Sequence, residues 1–242
     1  MIEIRALTTT EEFREAVALQ KAIWKFEDIE LLPARLFVVA TKVGGQAFGA
    51  FNSDKMIAFC LAIPGLKPGG RSFLHSHMLG VHAKYRNAGV GRMLKLRQRD
   101  DALARGIELI EWTFDPLEIK NAWFNIERLG AIVRRYVHNQ YGTTSSALHG
   151  GLPTDRCTAE WWVSSERVGA IIERREHARE SVEARISVPS DIAEIRTHDS
   201  RRARQIQSGI GQQLQDNFAK GLAVIGFEKS SEAGTYLLGR WQ

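Results

Sequence analysis

The sequence predicts a mixed α/β or α+β fold, and three observations support that class. Segments of strand-like and helical periodicity follow one another in the order strand, helix, hairpin, strand, helix, strand, helix, strand, strand. The 242 residues are 44% hydrophobic and 25% charged, an ordinary globular composition that excludes wholesale disorder. A chain of this length can bury most of its unfolded surface without disulfide bonds.

Apolar spacing and turn residues mark the elements up to about residue 163. Alternation from Ile2 to Ala6 predicts a strand, and three threonines at 8–10, followed by two glutamates, predict a capped helix. The other elements expected here are a hairpin at 46–51 and 56–63, a strand at 73–81, a helix at about 92–105, a strand at 107–114, a helix at 118–129, and strands near 131–137 and 158–163. Pro64-Gly65 and Pro68-Gly69-Gly70 are expected to close the hairpin, and Gly106 and Gly130 to end the two later helices. The helix at about 92–105 is expected to have one apolar side, formed by Val90, Met93, Leu94, Leu96 and Leu103.

The sequence changes character after about residue 164. Residues 166–185 are rich in Arg and Glu and poor in large apolar side chains, which predicts a solvated helix or connector. A helix at 204–220 and a closing hairpin at 222–227 and 235–238 follow. We therefore predict a first domain at 1–164 and a C-terminal helix-plus-hairpin extension at 165–242, packed on the core or on a partner subunit.

Charge and cysteine content narrow the classes of protein further. Lys and Arg number 33 against 28 Asp and Glu, and the formal charge of +5 tolerates anionic partners without selecting one. Two cysteines cannot form a disulfide framework and are expected to be reduced. The longest apolar stretch, from Met56 to Pro64, is too short to cross a bilayer, and the N-terminus shows no signal-peptide run. We expect a cytoplasmic protein with no membrane partner.

The loop Arg86–Gly91 carries the strongest functional signal, because it lies between a predicted strand and a predicted helix. Gly89 and Gly91 permit positive φ and close backbone approach, and free N–H groups at a helix N-terminus favour an anion. Three cationic side chains lie close by: Arg86, Arg92 and Lys95. The combination suits a pyrophosphate, although a flexible glycine turn without a ligand fits the short pattern equally well. Neither the P-loop spacing nor the three-glycine dinucleotide fingerprint is present.

Leu79-Gly80-Val81, followed by the loop from Tyr85 to Gly91, resembles the acetyl-CoA-binding motif Arg/Gln-x-x-Gly-x-Gly/Ala of the GNAT N-acetyltransferase superfamily. The flanking strand and helix agree with that family, and the resemblance extends over residues 1–164. It implies a mixed, mostly antiparallel central sheet flanked by helices. It also implies an N-acetyltransferase that transfers an acetyl or related acyl group from acyl-CoA to an amine by direct attack.

The resemblance assigns roles to individual residues. The backbone around Leu79, Gly80 and Val81 would pair with the pantetheine arm. The pyrophosphate would be held by the N–H groups of the loop residues Arg86, Asn87, Ala88, Gly89, Val90, Gly91 and Arg92. Asn121 or Asn125 could bind the pantetheine or the region near its sulfur.

The chain departs from the family at one catalytic position. Many members carry a Tyr four residues before the helix-ending glycine, where it protonates the departing thiolate, and this chain has Ile126 there. Three alternatives stay open. Another residue, such as Tyr136 or Tyr141, could protonate the thiolate; the thiolate could leave without an acid; or the protein could bind acyl-CoA without efficient transfer. An acyl-CoA-binding or sensing protein with little turnover is therefore the alternative function.

Acyl transfer to an amine benefits from a general base, because alkyl amines are mostly protonated at pH 7. His75 and His77 share a side of their strand with Leu79 and Val81 unless a bulge intervenes, and histidine has a suitable pKa. Histidines on the wet rim of a strand are the alternative. Glu111 is a third candidate base, and its alternative is a structural carboxylate paired with an arginine.

The expected partners are acyl-CoA and a small-molecule or peptide amine. Nucleic acid is not expected, because the arginine clusters do not interleave with aromatic residues; they lie at 134, 135, 174, 175, 201, 202 and 204. No His or Cys spacing suggests a metal site. In the loop 150–156, Asp155 and Arg156 could recognise the acceptor or only fix a turn. The extension could cap the acceptor cleft, pair with the sheet edge or form a homodimer contact.

Overall fold

The computed structural model describes residues 1–142, 151–176 and 181–241. These residues form two compact units, Met1–Glu111 and the chain from Trp112 onward, so the division falls within a strand, Leu109–Phe114. This division differs from the predicted domain boundary at 164/165. That boundary marks where the family resemblance ends, and it stays a prediction.

The first unit contains three helices and the strands of an almost wholly antiparallel sheet. Its helices are α1 (Thr10–Trp24), α2 (Ala34–Lys42) and α3 (Val90–Ala104), and its strands are β1 (Ile2–Ala6), β2 (Gln46–Asn52), β3 (Lys55–Leu66), β4 (Ser72–Val81) and the beginning of β5 (Leu109–Phe114). The strands pair in chain order, antiparallel as far as β4, and β5 is parallel to β4.

Two apolar clusters pack on the two faces of this sheet. The side of α1 and α2 carries residues such as Phe13, Phe37 and Phe59, whereas the side of α3 carries Val90 and Leu94. The helix α1 begins as expected, with Thr9 and the third helical residue, Glu12, in a reciprocal capping box.

Sequence reasoning missed α2 and placed the end of the hairpin too early. Pro64-Gly65 lies within β3, which continues to Leu66 with Pro64 opposite Leu74 of β4. Pro68-Gly69-Gly70 does lie in the turn that follows the strand, as expected. A proline can occupy a strand where its missing N–H is not required by the ladder.

The second unit contains a further set of antiparallel strand pairs. Its helices are α4 (Ile119–Trp123), followed by a π-helical turn (Phe124–Arg128), α5 (Glu166–Glu173), α6 (Ile192–His198) and α7 (Ser200–Ala219). Its strands beyond β5 are β6 (Ile132–Val137), β7 (Arg156–Trp162), β8 (Ala184–Pro189), β9 (Leu222–Lys229) and β10 (Ala233–Arg240). They lie in the order β7-β6-β9-β10-β8.

The sequence predicted a solvated helix or connector at 166–185. The described residues of that range, 166–176 and 181–185, do contain a helix, α5, but this helix is partly buried. Ser165 caps α5, whose Arg167 is buried and donates to the carbonyls of Gly130 and Ile225. The strand β8 and the helix α6 were not predicted. Charged side chains concealed these elements, because the buried arginines are satisfied by carbonyl or carboxylate partners that lie far away in sequence.

Residues after 164 are tied to elements before 164 within this unit. Val224 of β9 pairs with Val133 of β6, and the buried hydroxyl of Tyr236 donates to the carbonyl of Pro116 at 2.7 Å. Among the described residues, no helix is both long and apolar enough to cross a membrane.

Arg196 of α6 provides a testable part of this packing. Its side chain is only 8% exposed and contacts the carboxylates of Asp115 at 3.2 Å and Glu118 at 3.0 Å. Arg196→Met should lower the free energy of unfolding by about 3–5 kcal/mol, because it leaves the half-buried Asp115 without this cation. Arg185, whose ion pair with Glu228 is exposed, is the matched control, and Arg185→Met should cost under about 1 kcal/mol in urea denaturation. Equal losses would contradict this role.

Candidate active site

The loop between β4 and α3 leaves the N-terminus of α3 without a side-chain cap. Gly89 occupies the cap position with φ of 80°, and Asn87 also takes a left-handed φ, of 64°. Three other helices are capped by a side chain: α1 by Thr9, α5 by Ser165 and α7 by Asp199. In the described part of the chain no side chain caps the first-turn N–H groups of α3, which suits a bound anion.

The two glycines of the loop serve different purposes. A Cβ at Gly89 would meet nothing within 4 Å, so the space at the cap position is open. A Cβ at Gly91 would lie 3.5 Å from Leu79 and 3.7 Å from Val81, so the first turn of α3 lies directly against β4. Arg86 is exposed and donates to the carbonyl of Val81 at 3.3 Å.

The remaining predicted loop residues are placed in two ways. Asn87 and Ala88 are exposed, whereas Val90 is buried in the α3-side cluster, so only its backbone is available to a ligand. Arg92 is half-buried. Gly80 is buried, and a Cβ there would clash with Trp24.

Lys95 does not lie among the loop cations as the sequence predicted. It is buried, and its Nζ donates to Ser76 Oγ of β4 at 2.9 Å, while Ser76 Oγ donates to Gln98 Oε1 at 3.0 Å. Burial lowers the pKa of Lys95 to about 7, and burial raises the pKa of the nearby Cys60 thiol to about 12. Lys95 thus belongs to the packing of α3 on the sheet.

The buried face of α3 is rotated from the one that the sequence predicted. The buried residues of α3 are Val90, Leu94, Lys95, Gln98 and Ala102, whereas Met93 and Leu103 are exposed. The spacing of four residues from Val90 to Ala102 was the available signal. It was hidden because a lysine and a glutamine stand where apolar residues were sought.

A β-bulge in β4 decides where the candidate bases lie. Leu61 of β3 is paired with Met78, but the next residue, Ala62, is paired with Ser76, so His77 is the extra residue. Ser76 contacts α3, whereas Met78 packs in the cluster on the α1 side.

The bulge corrects the prediction that both histidines share a side with Leu79 and Val81. Leu79 and Val81 pack against α3, and His75 lies on the other face because it alternates with Ser76. The rings of His75 and His77 have centroids 5.9 Å apart. The His77 side chain is exposed to solvent. Partial burial of its ring nevertheless lowers its pKa below the usual 6.5. A neutral imidazole at pH 7 can accept a proton.

Glu111 of β5 is a buried, paired carboxylate. It is the register partner of His75, and Lys67 Nζ donates to it at 2.7 Å. Lys67, which the sequence analysis missed, also lies 4.5 Å from the centre of the Phe73 ring. This ion pair agrees with the alternative that Glu111 is a structural carboxylate, although its partner is Lys67 and not the expected arginine.

In the second unit, the predicted asparagines differ in exposure. Asn121 on α4 is exposed, whereas Asn125 in the π-helical turn is buried, and its Nδ2 has no hydrogen-bond partner among the residues that the structure describes. Ile126 is fully buried. Single π-helical turns within helices are frequent at functional sites, and an unpartnered buried amide is costly unless a ligand satisfies it.

The two tyrosines left unplaced by the sequence have different partners. Tyr136 donates to the buried carboxylate of Asp155, and burial together with that carboxylate raises its pKa well above the usual value. Tyr141 is exposed, and its hydroxyl lies 2.8 Å from Thr113 Oγ of β5. Asp155 also accepts from the N–H of Asn139 at 2.9 Å, so it has the local contacts of a turn-fixing residue.

Gly150, the first residue of the loop that was expected to recognise an acceptor or fix a turn, lies outside the described residues. Over 1–142, 151–176 and 181–241, no group of three metal-ligating side chains is present.

Comparisons with known proteins concern the fold. No family model matches the chain, and no curated protein matches it. The ribosomal-protein-S18-alanine N-acetyltransferase from Escherichia coli matches with a TM-score of 0.53 at 19% identity, over 68% of this chain and 96% of that one. Arabidopsis thaliana NAA60, in complex with a bisubstrate analogue, matches with a TM-score of 0.55 at 13% identity, over 67% and 98%. An N-acetyltransferase from Staphylococcus aureus matches with a TM-score of 0.55 at 13% identity, over 68% and 99%.

The buried Lys95 should make stability depend on pH in a defined window. The unfolded chain holds this proton up to about pH 10.5 and the folded protein only to about 7, so wild-type stability should rise with pH between those values. Lys95→Met removes this dependence. Its free energy of unfolding relative to wild type should therefore fall as pH rises through the window, by at most about 1.4 kcal/mol per pH unit.

Urea denaturation across this window measures the effect, with Lys84→Met as the control because Lys84 is exposed. Parallel pH profiles for wild type and Lys95→Met would rule out a neutral, buried Lys95.

Proposed function

Because the chain has the fold of the GNAT N-acetyltransferases, we propose that it is an N-acetyltransferase that transfers an acetyl or related acyl group from acyl-CoA to a primary amine. The uncapped, glycine-containing N-terminus of α3, directly after β4, is the observation that carries this proposal. The solved Arabidopsis thaliana Naa50 is a complex with the bisubstrate analogue CoA-Ac-MVNAL, which supports acyl-CoA and a small-molecule or peptide amine as partners.

The loop residues fit the phosphates of acyl-CoA. The N–H groups from Arg86 to Arg92 would hold the pyrophosphate, since no side chain caps α3 and the space at Gly89 is open. The backbone of Leu79–Val81 would bind the pantetheine arm, and Asn121 or Asn125 would bind nearer the sulfur. Acyl-CoA supplies the activated thioester.

We assign the role of base to His77, and the ring centroid of His75 lies 5.9 Å from that of His77. The pKa of His77 is lowered, so at pH 7 the ring is mostly neutral and can take the proton from an incoming ammonium group. Glu111 is held by Lys67, so we assign it a supporting electrostatic role next to His75 rather than the role of base.

A second candidate function is an acyl-CoA sensor with little turnover. The fully buried Ile126 favours it, because this side chain cannot protonate a thiolate, and Tyr136 is committed to Asp155. Thiol release from acetyl-CoA across a panel of amines separates the two functions. Sustained release supports the transferase, and tight binding without release supports the sensor.

Two broader predictions accompany this function. We propose residues 1–164 as the acyl-CoA-binding domain, because the Escherichia coli enzyme and NAA60 match over 68% and 67% of this chain, about the share that those residues represent.

We also propose a cytoplasmic location, which the two free, buried cysteines support.

Acetyl-CoA binding tests the loop directly. Gly89→Trp should abolish binding in calorimetric titration while the protein stays folded, because the indole would occupy the open space at the N-terminus of α3. Gly69→Trp is the matched control: Gly69 also has a positive φ, of 86°, and no atom within 4 Å of its Cβ position. No detectable binding to wild type at millimolar acetyl-CoA would refute the proposal, and equal binding by both variants would refute the role of the loop.

The base assignment predicts a pH profile. Wild-type kcat/KM should fall as pH drops through the lowered pKa of His77, because only the neutral ring accepts a proton. His77→Gln should lose this acidic limb and about 100-fold or more in kcat. His198→Gln, at an exposed histidine of α6, should change neither. A His77→Gln enzyme with wild-type rate and profile would exclude His77.

A further inference from the structure

A polar cleft of about 460 Å³ lies in the second unit, and none of the residues assigned above to acyl-CoA lines it. One wall is α7, and the other is formed by the end of β6 and the residues just before β7. The lining residues are Tyr136, His138, Pro153, Asp155, Arg201, Arg204, Gln205, Gln207, Ser208, Gly211, Gln212 and Gln215. The volume is in the range of small-molecule binding sites.

The wall formed by α7 is positively charged. Arg201 and Arg204 are three residues apart in the first turns of α7, so they project from neighbouring positions on the helix. Both are exposed, and in the described part of the chain neither has a carboxylate within ion-pair distance.

The opposite wall is fixed by a buried carboxylate. Asp155 is only 2% exposed, and it accepts from the hydroxyl of Tyr136 and, at 2.9 Å, from the N–H of Asn139. Its Oδ1 also lies 2.9 Å from His138 Nδ1. These contacts hold the carboxylate within the protein, and the two arginines of α7 outnumber it. The surplus charge facing the cleft is positive.

Glycine and amide side chains complete the shape. A Cβ at Gly211 of α7 would overlap the Tyr136 hydroxyl, so the glycine allows the two walls to approach. Gln207 is buried, and its Nε2 donates to the carbonyl of Pro153 at 2.9 Å, which ties α7 to the other wall. Gln205, Ser208 and Gln215 offer neutral donors and acceptors for the rest of a ligand.

We propose that this cleft binds a small polar molecule through an oxyanion, either a carboxylate or a phosphate, with Arg201 and Arg204 as its cationic partners. Guanidinium groups bind either oxyanion through paired, charge-assisted hydrogen bonds. The neutral amides would bind hydroxyl or amide groups elsewhere on the same molecule. The proposal does not depend on acyl transfer, and it gives part of the unassigned positive charge of the C-terminal region a function.

Calorimetric titrations with inorganic phosphate, succinate and L-glutamate test this site and distinguish the two oxyanions. We expect one class to bind, and the double variant Arg201→Gln/Arg204→Gln to weaken that binding at least about tenfold. Arg202→Gln is the matched control, because Arg202 lies in the same turn of α7 and does not line the cleft. Gly211→Ala, which leaves the charge unchanged, should also weaken binding because it displaces Tyr136.

Hydrogen exchange locates the site independently of affinity. The bound probe should slow exchange in α7 and at residues 136–138, and thermal unfolding of each variant should show that it is folded. Binding without that protection, equal affinity in the double variant and in Arg202→Gln, or no binding by any probe would each overturn the proposal. The acetyl-CoA titration of Gly89→Trp tests the loop before α3, so its result neither supports nor refutes oxyanion binding in this cleft.

Discussion

The single extra residue in β4 is the constraint on which the first unit depends. Up to Ser76 the even-numbered residues face α3, and after His77 the odd-numbered ones do, so Leu79 and Val81 support the helix that carries the uncapped loop. His75 lies on the opposite face, and the ring centroid of His77 is 5.9 Å from that of His75. One backbone irregularity therefore decides which residues of β4 support α3 and which do not.

Polar groups buried in the interior connect the elements of both units. Lys95 joins α3 to β4 through Ser76, and Arg196 joins α6 to the carboxylates that follow β5. Such groups are tolerated because each has partners across the packing interface, and removing one partner leaves an uncompensated polar group. These contacts explain why elements rich in charged residues form a packed structure.

Much of the fold followed from local patterns. The capped helix α1, the hairpin of β2 and β3, the strand–loop–helix from β4 to α3 and the helix ends at Gly106 and Gly130 were all predicted, because each depends on neighbouring residues. The helices α2 and α6, the strand β8 and the buried face of α3 were missed or misplaced. Their stability comes from contacts distant in sequence, and α6 and α3 bury the charged residues Arg196 and Lys95.

The candidate site divides in the same way. By itself the sequence determined the loop Arg86–Gly91, because glycine conformation and a helix N-terminus are local properties. Only the tertiary structure decided that Lys95 is buried, that Glu111 is paired with Lys67, and that His75 lies opposite Leu79. The physical reason is that register, burial and ion pairing depend on the partner strand or helix, and a bulge changes every side-chain direction beyond it without leaving a pattern in the sequence.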